Sequence, residues 1–267
     1  MTLLQSAQID QSNCLTWLSQ QNPNSFQLIV ADPPYFQVQL KEKWDNAWAS
    51  EVAYLKWMIE WLKEAKRVLH STGLLYLFGQ LGKRENVFLQ VMAQATKLFQ
   101  FHDLIIWDRA VGYNERRDSF TPQYEMILVL RKSDKPYFNK SAVRECYDEN
   151  TKQLYFKDKR YKDLEKRRLH LENGKFATNL WRIPSLKGGS KEKVGHPTQK
   201  PLALIERIIL SSSKKGDWVC DPFLGSGTTA VAALKQERHF AGCEKEKRYC
   251  ELAKARITKL FGAVHRF

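Results

Sequence analysis

The sequence predicts an α/β fold in which a mostly parallel sheet is flanked by helices. Two observations predict it. Short apolar runs alternate with amphipathic stretches along most of the chain, which is typical of successive strand–helix units. The alternation occurs on both sides of a middle segment of different composition, so we expect one α/β body carrying an insertion.

The first half of this alternation lies in residues 1–130. "FQLIVAD" is an apolar run of strand length, and residues 51–69 carry apolar side chains at helical spacing. "GLLYLFG" predicts a second buried strand, residues 84–98 predict a second helix, and "HDLIIWD" and "EMILVLR" predict two further strands. Trp57 and Trp61 have helical spacing and are expected in the core or at a subunit interface.

The alternation resumes in residues 194–267. Pro201 suits the first turn of a helix that extends to about residue 212. "DWVCD" and "HFAGCE" predict strands, and residues 228–235 and 247–260 predict helices. The two halves together predict a sheet whose strand ends converge on one edge.

Residues 131–193 form the segment of different composition. They contain 18 Lys and Arg against nine Asp and Glu, with eight aromatic residues interleaved. Aromatic rings among cations suit a nucleic acid surface, where the rings stack or wedge and the cations hold phosphates. A solvated charged excursion is the alternative, although such segments seldom carry so many aromatic residues. We expect an insertion that contacts nucleic acid.

The composition of the whole chain bounds its class. With 267 residues and a hydrophobic fraction of 43%, the chain can form one large domain with a sizeable core. The net charge of +14 favours a polyanionic partner, although a merely basic surface is the alternative. The five cysteines are odd in number and include no CxxC pair, which predicts reduced thiols and no metal site. No signal-peptide pattern or membrane-length apolar run is present, so the expected location is the cytoplasm.

"VADPPYF", residues 30–36, places an acid, two prolines and aromatic rings at the end of the first predicted strand. The prolines fix φ and so hold the neighbouring acceptors in one direction. An ordinary turn is the alternative for this stretch taken alone.

"DPFLGSGTT", residues 221–229, follows a predicted strand and precedes a helix. Gly225 and Gly227 allow the backbone to approach a ligand closely, and Thr228 and Thr229 are expected to cap the helix. Glu244 ends the next strand, where a carboxylate can accept hydrogen bonds from two ribose hydroxyls. This pattern favours an adenosine moiety, although glycine turns also occur where a helix merely packs on a strand.

These motifs resemble those of the amino-group DNA methyltransferases. "DPPY" resembles the family's catalytic motif, "DPFLGSGTT" its F-x-G-x-G cofactor motif, and "HPTQKP" (residues 196–201) the motif that precedes the glycine turn. The order, with "DPPY" first and the basic segment in the middle, is similar to that of the β group. The resemblance implies a Rossmann-like fold dependent on S-adenosylmethionine, with a catalytic half (1–130), a target-recognition insertion (131–193) and a cofactor-binding half (194–267).

The resemblance also assigns the site residues. The catalytic motif is Asp32, Pro33, Pro34 and Tyr35. Asp32 and the Pro33 carbonyl would accept the two hydrogens of the target amino group, and Tyr35 would offer a ring face to a flipped base. The residues implied for the cofactor are Asn13, Cys14, Asp32, His196, Thr198, Lys200, Pro201, Asp221, Phe223, Gly225, Ser226, Gly227, Thr228 and Glu244. Asn13 stands where the family often has an acidic residue.

The residues expected to contact DNA are Arg109, Arg116, Arg167, Arg168, Asn179 and Arg182. Arg167 and Arg168 lie in a cation-dense run that suits phosphates, whereas Asn179 and Arg182 could pair with adenine and guanine. Trp181 could wedge or stack, or simply pack the insertion onto the body.

The expected function is adenine-N6 methylation of double-stranded DNA. The acid that opens "DPPY" favours adenine, because the resemblance implies serine more often in cytosine-N4 enzymes of this motif order. Cytosine-N4 methylation is the alternative enzyme, RNA is a more distant substrate, and a non-catalytic DNA-binding module is the alternative of another class. A homodimer, a cognate restriction endonuclease and association with the nucleoid are further expectations.

Overall fold

The computed structural model describes residues 6–39, 41–81, 86–112, 117–118, 120–158, 160 and 163–262. Across these residues, eight strands form one sheet. They are β1 (Ala7–Gln11), β2 (Phe26–Ala31), β3 (Leu69–Gly79), β4 (Gln100–Asp108), β5 (Tyr124–Arg131), β6 (Leu180–Arg182), β7 (Trp218–Asp221) and β8 (His239–Glu244).

Helices cover both faces of this sheet. The α-helices are α1 (Cys14–Ser19), α2 (Glu51–Val68), α3 (Asn86–Leu98), α4 (Glu149–Lys157), α5 (Leu164–Asn173), α6 (Leu202–Ser212), α7 (Thr228–Lys235) and α8 (Lys247–Phe261). Two short 3-10 helices occupy Lys43–Asn46 and Lys140–Val143. No helix within the described ranges combines the length and apolar character needed to cross a membrane.

The strand order is β1-β8-β7-β2-β3-β5-β4-β6. All neighbouring pairs are parallel except those of β5, which runs antiparallel to both β3 and β4. The mixed, mostly parallel α/β sheet predicted from the sequence is therefore confirmed. Because one reversed strand separates β3 from β4, the C-terminal ends of the other seven strands lie at the same edge.

The two faces of the sheet carry separate apolar cores. One core packs β-strand residues against α6, α7 and α8, and the other packs them against α1, α2 and α3. In β2, Leu28 and Val30 point to the first core, whereas Ile29 and Ala31 point to the second. A strand buried on both faces reads as a continuous apolar run, which is why "FQLIVAD" predicted β2 correctly.

Several elements differ from the sequence prediction. β3 begins at Leu69, so the predicted strand is only its C-terminal part. The short elements β1, α1, α4, α5 and β6 were not predicted. β1 lies at the edge of the sheet and buries only Ala7 and Ile9, which leaves a weak alternating pattern.

The basic segment is not wholly separate from the sheet. Its helices α4 and α5 pack on each other, but β6 pairs in parallel with β4. Trp181 in β6 is buried in the core beside α6, donates its indole N–H to the Thr178 carbonyl at 2.8 Å, and lies under the Arg207 guanidinium. Of the two roles that the sequence allowed for Trp181, contact with DNA and packing, its burial agrees with the second, because its ring packs this strand onto the body.

Candidate active site

Three strand ends define a pocket at the C-terminal edge of the sheet. Asp32 follows β2, Asp221 ends β7 and Glu244 ends β8, and all three line a cavity of about 160 Å³. Parallel strands bring their C-terminal ends to one edge, so residues far apart in sequence meet here. Of the fourteen residues expected to bind the cofactor, Asn13, Cys14, Asp32, His196, Thr198, Lys200, Asp221, Phe223, Gly225, Ser226, Thr228 and Glu244 line this pocket.

A buried cluster of charges surrounds Asp32. The ammonium of Lys200 lies 2.8 Å from the Asp32 carboxylate and 3.2 Å from that of Glu125, and Glu125 also pairs with Arg109 at 3.3 Å. Tyr35 donates its hydroxyl to Asp32 and receives a hydrogen bond from Lys200 at 3.2 Å. Lys200 was expected to bind the cofactor; it lines the pocket, and its ammonium is bound to the catalytic motif.

The pKa of Lys200 lies above its usual value. Burial acts to lower it, but the carboxylates of Asp32 and Glu125 outweigh burial and stabilise the ammonium. Burial and the same two carboxylates raise the pKa of Tyr35 well above the ordinary value, so its hydroxyl stays a donor at neutral pH. Asp32 accepts hydrogen bonds from both the Tyr35 hydroxyl and the Lys200 ammonium, and these two contacts fix the direction of its carboxylate.

The backbone after Asp32 is held by its neighbours. Tyr54 donates its hydroxyl to the Pro34 carbonyl at 2.7 Å, and Phe36 packs on the Tyr54 ring with centroids 5.2 Å apart. Phe36 is buried, so it is a core residue. The Tyr35 ring is half-buried against the core, with its hydroxyl turned toward Asp32.

The glycine turn leads from β7 into α7. Gly225 and Gly227 adopt φ of 52° and 77°, the left-handed region that favours glycine. A Cβ on Gly225 would lie 3.2 Å from Nε2 of His196, so the bare backbone leaves room in the pocket. Gly227 is the N-cap of α7 and Pro201 that of α6, and neither contributes to the pocket lining.

The expected capping of α7 by Thr228 and Thr229 is wrong. Thr229 donates its hydroxyl to the Asp221 carboxylate at 2.6 Å, while the Thr228 hydroxyl meets the Lys200 carbonyl and the Arg256 guanidinium. The two threonines therefore fasten the glycine turn to β7, to the loop before α6 and to α8.

Burial disfavours the ionised form of two acids in the pocket and so raises their pKa values. Burial raises the pKa of Asp221 to about 7, although the Thr229 hydroxyl and the Phe223 N–H partly offset it. Burial also raises the pKa of Glu244, against hydrogen bonds from the backbone N–H groups of Glu246 and Gly225, each at 2.8 Å. A positively charged ligand in this pocket would favour their ionised forms.

Aromatic side chains form the rest of the wall. His196 lies between the rings of Trp44 (6.5 Å) and Tyr249 (4.3 Å), and burial lowers its pKa to about 4, so the imidazole is neutral. Trp44, Trp48, Trp57 and Tyr249 line the pocket and were not predicted to do so. Trp57 and Trp61 pack edge-on against Phe223, and Trp61 is fully buried. Their helix therefore faces the core and the pocket, as the core alternative predicted.

The comparison with known families shows to which family the chain belongs. A family model described as DNA methylase matches residues 26–255. The chain belongs to this DNA methylase family.

Curated relatives agree with that assignment along most of their length. The Type II methyltransferase M2.MboI of Moraxella bovis is 31% identical over an alignment of 268 positions, which spans 94% of this chain and 88% of the relative. The DNA adenine methyltransferase YhdJ of Escherichia coli K12 is 31% identical over 87% of this chain and 76% of its own.

Solved structures show the same fold. The complex of M1.HpyAVI with SAM has a TM-score of 0.63 at 24% identity, covering 94% of this chain and 98% of that chain. The cytosine-N4-specific PvuII DNA methyltransferase has a TM-score of 0.69 at 16% identity, covering 97% of this chain and 92% of that chain.

Two of the arginines expected to contact DNA in this methylase are directed inward. Arg109 is buried and pairs with Glu125 behind Asp32. Arg167 is buried in α5 and donates to the carbonyls of Tyr155 at 2.6 Å and Asp158 at 2.8 Å. Both expectations are corrected, because a guanidinium held among protein groups is not presented to a phosphate.

The other expected DNA contacts remain on the surface. The side chains of Arg168 and Arg182 are 73% and 76% exposed, and Arg182 ends β6 at the same edge as the pocket. Asn179 is exposed, and its amide donates to the Asp103 carboxylate at 3.1 Å. Arg116 lies outside the described residues.

Proposed function

We propose that this DNA methylase transfers a methyl group from S-adenosylmethionine to the N6 amino group of an adenine flipped out of double-stranded DNA. The observation that carries the proposal is the Asp32 carboxylate, which follows β2, lines the pocket and is paired with the buried Lys200 ammonium. This acceptor meets the chemical need of an amino group whose lone pair is delocalised into the ring.

Groups of the protein itself orient the target amino group. Asp32 accepts one hydrogen of the target amino group, and the Pro33 carbonyl is the proposed acceptor of the other, which turns the nitrogen lone pair toward the methyl donor. The Lys200 ammonium and the Tyr35 hydroxyl both donate to the Asp32 carboxylate and fix its direction, so its proposed role is to orient the amino group. The nitrogen becomes acidic only as its new bond to the methyl carbon forms and the bond from that carbon to the sulfonium sulfur breaks, which leaves a neutral thioether. The proton of the nitrogen then passes to Asp32 or to water.

The pocket residues fit S-adenosylmethionine. Bound there, the cofactor would supply an electrophilic methyl group on a sulfonium. The carboxylates of Asp221 and Glu244 would stabilise the cofactor's positive charge and accept hydrogen bonds from its ribose hydroxyls. The aromatic wall suits an adenine ring. Gly225 leaves the space that a Cβ would fill. The SAM complex of M1.HpyAVI, which has the same fold, supports this assignment.

Adenine is favoured over cytosine as the base. The acid at position 32 supports adenine, and so does the adenine-specific name of the relative YhdJ. The likeness to the cytosine-N4-specific PvuII enzyme is one of fold alone, at 16% identity.

The experiment that tests the proposal is methyl transfer from labelled cofactor to duplex DNA, followed by digestion to nucleosides. We expect N6-methyladenine. Recovery of N4-methylcytosine alone would overturn the base assignment. Cofactor binding and DNA binding without any methylated nucleoside would favour a non-catalytic module.

The biological setting is part of the proposal. The Type II names of the relatives support a role beside a cognate restriction endonuclease, with a solitary modification enzyme as the alternative. In this role the protein acts on the nucleoid in the cytoplasm, alone or as a homodimer. Sedimentation at micromolar concentration distinguishes monomer from dimer.

Sequence recognition is assigned to the exposed residues beside β6. Asn179 and Arg182 would reach base edges, and Arg168 would hold a phosphate. Profiling of methylated sites checks this assignment, because Arg182→Gln should change the preferred sites and Arg168→Gln should not.

A further inference from the structure

Asp45 is a fully buried carboxylate close to the catalytic motif. It lies in the 3-10 helix Lys43–Asn46 and has 0% of its surface exposed. Burying a carboxylate is costly unless hydrogen bonds compensate the lost water. An acid in this position therefore needs a structural or chemical reason.

The backbone of residues 35–39, the loop that begins at the last residue of "DPPY", supplies these hydrogen bonds. One Asp45 carboxylate oxygen accepts the N–H of Tyr35 at 2.6 Å, and the other accepts those of Val38 at 2.7 Å and Gln39 at 2.5 Å. The Asp45 carbonyl accepts the Gln37 N–H at 2.9 Å. The backbone N–H groups of the loop converge on this one side chain, as they do in a backbone nest.

The loop needs this support because its backbone is strained. Phe36 and Gln37 are consecutive non-glycine residues with φ of 59° and 60°, in the left-handed region. Such conformations persist only where the surroundings determine them, and they cluster at functional sites. Here the N–H groups on both sides of the strained pair converge on Asp45.

We propose that Asp45 is a positioning residue for methyl transfer. It fixes the loop that leaves Asp32, so that the Asp32 carboxylate and the Pro33 carbonyl stay directed at the target amino group. Asp45 does not line the pocket, and its carboxylate contacts the catalytic motif through the Tyr35 backbone N–H. The inference rests on the proposed methyltransferase function and adds a residue to it.

The test compares Asp45→Ala and Asp45→Asn with a matched control. Asp217→Ala also removes a carboxylate that accepts a backbone N–H, that of Lys214 at 2.7 Å, but in the turn before β7 at the opposite edge. The measurements are the single-turnover rate of methyl transfer, the affinities for S-adenosylmethionine and DNA, thermal unfolding, and hydrogen exchange of residues 35–39.

We expect Asp45→Ala to lower the single-turnover rate by about a hundredfold, because small misplacements of reacting groups cost this much. Its affinity for S-adenosylmethionine should stay within about threefold of wild type, because Asp45 itself does not line the pocket. Asp45→Asn keeps one acceptor oxygen and should fall between Asp45→Ala and wild type. Asp217→Ala should match wild type in rate, and only the Asp45 variants should exchange faster at residues 35–39.

Some outcomes would overturn the proposal. An unchanged rate in both Asp45 variants would do so, as would a rate loss matched by an equal loss of cofactor affinity. If Asp45→Ala does not fold, the near-isosteric Asp45→Asn decides alone. If the wild-type protein methylates nothing, the proposed function fails, and hydrogen exchange still decides: equal exchange of residues 35–39 in wild type and variants removes Asp45 as the support of the loop.

Discussion

The Lys200 ammonium lies 2.8 Å from the Asp32 carboxylate, with side chains 10% and 23% exposed. The two residues are separated by most of the chain and meet because β2 and the loop before α6 end at the same edge of the sheet. Glu125 binds the same ammonium from β5 at 3.2 Å. The catalytic carboxylate is thus part of a buried ion network in which each charge depends on the others.

Lys200→Met should destabilise the protein strongly. Removing one partner of a buried ion network leaves uncompensated charge, which costs about 3 kcal/mol in the free energy of unfolding. A double-mutant cycle with Asp32→Asn, followed by urea unfolding, should give a coupling above about 1 kcal/mol. The exposed pair Arg168–Glu172, also 2.8 Å apart, is the control and should couple by less than about 0.5 kcal/mol. Equal couplings in the two cycles would contradict the proposed network.

Asp32→Ala should abolish methyl transfer while the cofactor still binds. The variant loses the acceptor that orients the amino group, but Asp221, Glu244 and the aromatic wall remain. Lys200 keeps Glu125 as a partner, so the fold should persist. Single-turnover assays and calorimetric titration with S-adenosylmethionine check the two halves of the prediction. Turnover near that of wild type would remove Asp32 from its assigned role.

The sequence predicted the strand ends of the site well. β2, β7 and β8 are buried on both faces, so each reads as an apolar run, and Asp32, Asp221 and Glu244 stand directly at their ends. The glycine turn was visible because its residue types are needed for a left-handed backbone.

The supporting groups could not be predicted in the same way. Glu125 reaches the site by strand pairing across the sheet, and Asp45 stands in a polar run that reads as solvated. Arg167 and Arg168 are adjacent and chemically identical, and only the packing of α4 on α5 decides that the first is buried and the second exposed. Such contacts are set by tertiary structure and leave no local pattern.

Gly225→Ala should weaken cofactor binding by at least about tenfold. Alanine at φ of 52° is strained, and its Cβ would lie 3.2 Å from His196 inside the pocket. Gly262→Ala is the control, because its φ of 77° is also unfavourable for alanine but nothing lies within 4 Å. Both variants should lose stability, and only Gly225→Ala should lose affinity in calorimetric titration. A parallel loss of affinity in Gly262→Ala would assign the effect to backbone strain alone.

Cofactor affinity should rise with pH through neutrality. Burial raises the pKa of Asp221 to about 7, so its carboxyl is largely protonated at lower pH. A positively charged cofactor favours the ionised form, so binding releases a proton and tightens as pH rises, by roughly tenfold between about pH 6 and 8. Asp221→Asn has similar size but does not titrate, and its affinity should be flatter across this range. Parallel pH profiles of wild type and Asp221→Asn would show that another group titrates.

Neutralising Arg168 should weaken DNA binding, whereas neutralising its neighbour Arg167 should lower the stability of the fold. Arg168 is exposed on α5, so Arg168→Gln should weaken binding to all DNA sequences and reduce the salt slope by about 1, with no change in thermal stability. Arg167 bonds three backbone carbonyls of the α4 region, so Arg167→Gln should lower the free energy of unfolding by about 1–3 kcal/mol and leave the salt slope unchanged. DNA titrations at several salt concentrations, beside urea unfolding, separate the two effects. A reduced salt slope in Arg167→Gln at unchanged stability would restore Arg167 as a phosphate contact.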